Sequence, residues 1–226
     1  MSHSVANPNH THLEQQISVP IGKSSLSGSL IVPRMAKGAV LFAHGSGSSR
    51  HSPRNQYVAQ SLNTLGLATL LLDLLTPEEA RIDEQTYHLR FDIGLLADRL
   101  VAATAWLRRS PLTAQLSLGY FGASTGSAAA LLAAADYPGI IKAIVSRGGR
   151  PDLAGTALTR IQAPTLLIVG EHDSKVLALN QTALEKIHAQ RQLKIVPNAT
   201  HLFEEPGALE QVAQLASEWF QRYLSS

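Results

Sequence analysis

The chain has 226 residues, 45% of them apolar and 16% charged, and a formal net charge of only +2. That is enough apolar mass for a substantial core, and the scattered Lys and Arg exclude the concentrated basic stripe of a nucleic-acid binder. No cysteine occurs, which excludes disulfides, thiolate metal sites and a cysteine nucleophile and fits a reducing compartment.

The polar opening residues lack the apolar core of a secretory signal, and no apolar run reaches the roughly 18 residues of a membrane span. A soluble, cytoplasmic protein is expected, with residues 1–14 as a tail and 15–226 as a single domain. Gln16–Ile21 and Leu26–Val32 alternate apolar and polar residues around Gly22-Lys23-Ser24, the pattern of an antiparallel hairpin. The pattern then changes. Ala39–Ala43, Leu67–Leu72, Leu116–Phe121, Ile140–Val145 and Thr165–Val169 are short, nearly continuous apolar runs, as parallel strands covered on both faces require. Leu193–Val196 supplies a last strand.

Helical patterns lie between these runs. Ser52-Pro53 is a cap and first-turn pair for a helix through Leu65, stopped by Gly66. Ile93, Leu96, Leu100, Ala103 and Leu107 recur at helical spacing ahead of Arg108, Arg109 and Pro111. Gly126–Ala135 is built of small residues that pack closely on a sheet, and Val176–Ala189 and Leu209–Tyr223 complete the set. Alternating strands and helices predict an α/β domain with a mostly parallel sheet of about eight strands, an N-terminal antiparallel hairpin and helices on both faces.

The strongest chemical signal is Gly122-x-Ser124-x-Gly126, placed where a strand ends and a helix begins. A strand that turns sharply into a helix holds its serine in a strained conformation, and side chains at the flanking positions would collide across the turn. The same geometry leaves the Thr125 amide at a helix N-terminus, where it faces a developing oxyanion. A serine hydroxyl needs a base and an orienting acid. Asp173 follows the strand Thr165–Val169, and His201 follows the last strand, both in loops that converge on one edge of a parallel sheet. His172 competes as the base, and Asp73 and Asp152 compete as the acid, although Asp73 equally suits the capping of loop amides.

The second oxyanion donor is expected from the loop His44-Gly45-Ser46-Gly47-Ser48-Ser49-Arg50, with Ser46 as first choice and Gly47 as the alternative. No Gly-Lys-Ser/Thr follows this loop, which argues against a phosphate-binding P-loop, and the third glycine of a dinucleotide fingerprint is absent. Nine histidines occur, but none at metal-ligand spacing, so neither metal nor cofactor is expected. Arg147 falls just after the strand Ile140–Val145, and Arg50 ends the oxyanion loop. Arginines there suit a carboxylate or phosphate on a substrate, or else pairing with loop acids such as Asp152 and Glu171.

The elbow Gly122-Ala-Ser-Thr-Gly126, the loop His44-Gly45, the turn Gly170-x-x-Asp173 and the ending Asn198-x-x-His201 together resemble the α/β-hydrolase superfamily, and the short chain is similar to its dienelactone hydrolase branch. The resemblance spans nearly the whole chain after the tail. It implies cofactor-free hydrolysis of an ester, lactone or related acyl bond in a small molecule, with Ser124 as nucleophile, His201 as base and Asp173 as orienting acid. The chain departs from dienelactone hydrolase itself in carrying serine where that enzyme has cysteine. The stretch between Arg147 and Pro164, where many relatives insert a helical lid, is too short for one. A non-catalytic binding protein on the same fold, and an acyltransferase or perhydrolase with the same triad, are the competing readings.

Overall fold

The computed structural model describes residues 12–225. Residues 1–11 of the expected tail lie outside them. The remainder of that tail, His12–Glu14, belongs to a strand, because the hairpin register carries pairing out as far as His12 opposite Pro33.

An eight-stranded sheet forms the centre, in the order β1-β2-β4-β3-β5-β6-β7-β8. β1 (His12–Ile21) and β2 (Ser24–Pro33) form the expected hairpin, and β2 runs antiparallel to β4 (Leu67–Leu72). From β4 onward the neighbours are parallel: β3 (Gly38–Ala43), β5 (Leu118–Ala123), β6 (Ile141–Arg147), β7 (Thr165–Gly170) and β8 (Arg191–Val196). β3, β4, β5 and β7 are buried along their whole length, which is why they read as unbroken apolar runs. β5 and β6 each continue two residues past the apolar run seen in the sequence, because Gly122-Ala123 pairs with Ser146-Arg147 and extends the ladder.

Among the described residues six α-helices flank the sheet. α1 (Pro53–Thr64) and α6 (Ala208–Leu224) pack on one side, around Val40, Phe42, Phe121 and Val145. α3 (Ile93–Leu107) and α4 (Thr125–Asp136) pack on the other, around Leu41, Leu70, Tyr120 and Ile144. α5 (Ser174–Lys186) starts directly after Asp173. α2 (Pro77–Thr86) was not anticipated, although its start is written plainly. Thr76 Oγ1 accepts from the Glu79 amide and the Glu79 carboxylate accepts from the Thr76 amide, a reciprocal cap ahead of Pro77. Two short 3-10 turns within Pro151–Arg160 fill the space between β6 and β7, and no lid rises over the sheet there. Among the described residues no helix is long and apolar enough to cross a membrane.

The direction of chain growth reverses between β3 and β5. β4 is added on one side of β3 and β5 on the other, so the loops leaving β3 and β5 part company at a topological switch point. The site lies there.

Candidate active site

Ser124 sits between the last residue of β5 and the first of α4, with φ 50° and ψ −121°. Non-glycine residues rarely adopt this conformation, and it persists only when the surroundings enforce it. Four hydrogen bonds do so. The Ser124 amide donates to Arg147 O (3.1 Å), and Ser124 O accepts from the amides of Ser127 and Arg150 (both 3.1 Å) and from Ser127 Oγ (2.8 Å). The flanking glycines are required by contact. A Cβ on Gly122 would stand 2.3 Å from Ser127 Cα, and one on Gly126 would stand 2.3 Å from Ala43 O and 2.4 Å from His44 O.

Asp173 and His201 meet as expected. His201 Nδ1 and Asp173 Oδ2 are 2.6 Å apart, with the carboxylate largely buried and the imidazole half-exposed. The loops that carry them are lashed together: the Asn198 amide donates to Glu171 Oε2 (2.8 Å) and the His172 amide to Ala199 O (2.9 Å). Gly170 allows that approach, since a Cβ there would lie 2.3 Å from Ala199 O. The segment Arg147-Gly148 joins the pair to the serine. Arg147 O holds the Ser124 amide, while Gly148 (φ 52°) leaves room for the His201 ring, whose Cε1 would be 3.4 Å from a Cβ at that position. Within the described residues the Ser124 hydroxyl makes no hydrogen bond. Such contacts commonly tighten only when substrate arrives.

The competing acids are used elsewhere. Asp73 accepts from the Arg50 amide (2.7 Å) and ion-pairs with the Arg50 guanidinium. Asp152 takes a two-pronged pair from Arg150 at 2.9 and 2.7 Å. Arg50, read from the sequence as a possible substrate ligand, is therefore committed to holding the loop after β3 against the loop after β4. Among the described residues Arg147, which is buried, has no such partner.

The loop after β3 packs directly on the elbow, with a Cβ at Gly45 falling 3.1 Å from Ser124 Cβ. The Ser46 amide, expected as an oxyanion donor, donates instead to Thr125 Oγ1 at 2.9 Å. The Thr125 amide heads α4, where helix geometry gives it no intrahelical acceptor. His44 anchors the loop from beneath. Its Nε2 accepts from the Leu74 amide (3.1 Å), so Nδ1 carries the proton and donates to Gly45 O (2.9 Å). Burial pushes the His44 pKa below its ordinary value, against the smaller opposing pull of the Gly45 bond and of Asp73.

A cavity of about 540 Å³ opens beside this loop, bounded by Ser46, Thr125, Leu74, Ala80, Leu96 and Arg90. Arg90 escaped the sequence reading because its partner is supplied by the unanticipated α2. Its Nε donates to the buried Asp83 at 2.5 Å, and its guanidinium lies 4.7 Å from the Tyr87 ring centroid. Burial would raise the Asp83 pKa, but the hydrogen bonds and charge of Arg90 outweigh it and hold the carboxyl below its ordinary value.

A family model described as the dienelactone hydrolase family matches residues 28–225. A dienelactone hydrolase from Anabaena variabilis is 61% identical, with a TM-score of 0.93 over 95% of this chain and 100% of that one. Sequences from two strains of Mycobacterium tuberculosis, provisionally named phosphoribosyl transferases, are each 58% identical over 207 residues. That match covers 92% of this chain but 46% of theirs, so the chain spans less than half the length of those relatives. Est1E from Butyrivibrio proteoclasticus shares the fold at 16% identity, with a TM-score of 0.77 over 92% of this chain and 98% of that one.

Proposed function

The chain belongs to the dienelactone hydrolase family, and from that premise we propose that it is a serine hydrolase acting on a small ester, lactone or related acyl bond. The observation that carries this reading is the strained Ser124 at the β5–α4 elbow, sharing one rim with the Asp173–His201 pair. Strain of this kind must be held by other interactions, and it lifts the hydroxyl out of the sheet.

Ser124 Oγ attacks the acyl carbonyl while His201 Nε2 takes its proton. Asp173 accepts from Nδ1–H, which selects the tautomer with a free Nε2 and stabilises the imidazolium that forms. The carbonyl oxygen becomes an oxyanion facing the Thr125 amide. The Ser46 amide joins it by exchanging Thr125 Oγ1 for the oxyanion, a swap between acceptors of the same donor. His201 then gives its proton to the leaving oxygen and later activates water to release the acyl group.

The transferase name of the mycobacterial relatives belongs, on this reading, to the part of those proteins outside the match. Support comes from this chain, whose residues 28–225 match the dienelactone hydrolase family model and fall largely within the portion those relatives share with it.

Labelling with a fluorophosphonate probe, read by intact mass, tests the reading without a known substrate. One adduct on wild type that disappears in Ser124→Ala is the expected result. Folded wild-type protein that takes no adduct would overturn it in favour of a binding protein on the same fold.

A further inference from the structure

Ser124 is held from behind by the segment 147–150. The Arg147 carbonyl accepts from the Ser124 amide, and the Arg150 amide donates to the Ser124 carbonyl, both at 3.1 Å. Between them Gly148 flanks the base: a Cβ there would lie 3.3 Å from His201 O and 3.5 Å from His201 Nδ1. One short segment therefore touches both the nucleophile and the base, and its position helps set the distance between them. The Gly148 amide ties it to the sheet by donating to Ile168 O at 2.8 Å. Gly149 is pressed against the elbow, since a Cβ on it would overlap the hydroxyls of Ser127 and Ser146.

A side chain from a different element holds the Gly149 carbonyl. Asn180 Nδ2 donates to Gly149 O at 3.0 Å and to Val176 O at 2.8 Å. Asn180 is fully buried in α5, and its Oδ1 is sealed from solvent with no hydrogen-bond partner among the described residues. An amide oxygen buried in this way destabilises a fold, and an apolar side chain of similar size would avoid the cost. Helix formation gives no reason for asparagine either, because its side chain competes with the backbone for hydrogen bonds. The donor to Gly149 is what asparagine adds at this position.

The start of α5 makes that bond consequential. The helix begins directly after Asp173, and the Leu177 amide donates to Asp173 O at 2.8 Å. Asn180 follows Asp173 by seven positions, about two helical turns along the same face. One rigid helix thus carries the acid at its head and grips, further along, the segment behind the nucleophile. We propose that Asn180 is a positioning residue, which fixes the Asp173–His201 pair relative to Ser124 by tying α5 to the Gly149 carbonyl. It acts through residues 147–150 and touches no reacting atom. The proposal rests on the serine-hydrolase reading and extends its machinery beyond the triad.

Two substitutions test it. Asn180→Leu nearly keeps the volume but removes both donors and the unpartnered oxygen. Asn180→Thr supplies a hydroxyl for Val176 O, four residues back, but none for Gly149 O, and it carries the test if the leucine variant does not fold. Thr113→Val is the control: Thr113 is buried, and its Oγ1 donates to Leu107 O at 2.7 Å, outside the site. The readouts are kcat and KM on phenyl acetate, the fluorophosphonate labelling rate, and amide hydrogen exchange across 147–150. Both Asn180 variants should lower kcat and the labelling rate by about tenfold or more, with KM within about twofold of wild type, because a small misplacement of catalytic groups slows the chemistry itself. Exchange across 147–150 should quicken in both, and Thr113→Val should keep the wild-type kcat. Unchanged exchange in the Asn180 variants would show that the side chain does not hold the segment. Faster exchange with wild-type kcat and labelling would show that the segment does not set the geometry, and an equal loss of kcat in Thr113→Val would reduce the effect to general stability. Each of these overturns the proposal. The labelling rate decides if phenyl acetate is not turned over. If wild type neither cleaves the ester nor takes the probe, the serine-hydrolase reading fails, and the exchange rates still show whether Asn180 holds the segment.

Discussion

Replacing Gly126 with alanine isolates the geometric claim on which the site depends. The new Cβ would stand 2.3 Å from Ala43 O and 2.4 Å from His44 O, against a practical floor of 3.0 Å. Either α4 or the start of the loop after β3 must therefore retreat by about 0.7 Å, and both obstacles are backbone, so no rotamer change relieves the clash. Overpacking of this kind costs about 1–3 kcal/mol, offset by roughly 0.5–1 kcal/mol from replacing glycine in a helix. A net loss of up to about 2.5 kcal/mol lowers the Tm of a chain this size by up to roughly 10 °C. The effect on chemistry is larger, because displacing a catalytic group by about 1 Å lowers a rate by about 10²-fold. Gly139→Ala serves as the control. Gly139 has φ 82° with nothing within 4 Å of its added Cβ, so alanine there incurs about 1–2 kcal/mol of backbone strain and touches nothing. The assay is the fluorophosphonate labelling rate beside the Tm of both variants. The two should lose similar stability, but only Gly126→Ala should label about a hundredfold more slowly. Equal labelling rates in the two variants would refute the idea that this glycine sets the distance between the elbow and the loop after β3.

Asp173→Asn should leave Tm within a few degrees of wild type yet lower kcat on a phenyl ester by about 10⁴-fold, because the amide favours the wrong His201 tautomer. Asp83→Asn removes the charged partner of Arg90, and chemical denaturation should find it less stable by about 2–4 kcal/mol at pH 7. The depressed Asp83 pKa means that this stabilisation is present above its ordinary value near 3.8 and is lost as pH falls through the folded value, so the gap between variant and wild type should narrow in acid. For His44 the sign is the same for a different reason: an unfolded histidine takes its proton near 6.5, whereas the buried one resists until a lower pH. Stability should therefore fall as pH drops below 6.5, and urea unfolding at pH 7.5 and 5.5 should show a smaller drop for His44→Gln than for wild type.

The readable parts of the chain were those where one physical demand controls several adjacent residues. A strand buried on both faces admits only apolar residues, so β3, β4 and β7 were marked along nearly their whole length. The elbow was legible because a steric requirement at Gly122 and Gly126 brackets a chemical one at Ser124. Strand ends were less so: the Ser146-Arg147 end of β6 is polar because it enters the site, and polarity read as a strand boundary. Apart from the Asp173–His201 pair, which the chemistry of the elbow called for, hydrogen-bond partners across the fold were not legible. Asp73 and Arg50 are 23 positions apart, and Ser46 and Thr125 are 79 apart; composition and periodicity say nothing about such pairs.

Arg50 and Arg147 show why that gap matters for function. In sequence both are arginines just beyond strands at the catalytic edge, and nothing local separates them. The fold gives Arg50 two contacts from Asp73, and so converts it into a brace between two loops. Arg147 receives none and is joined by a second cation at the head of α1. Pairing, rather than arginine identity, marks a structural tie, because a paired guanidinium has already committed its strongest hydrogen bonds. The same reasoning applies to Arg90, which lines the cavity but is saturated by Asp83. An anion entering that cavity would therefore have to compete with the buried Asp83 carboxylate for Arg90.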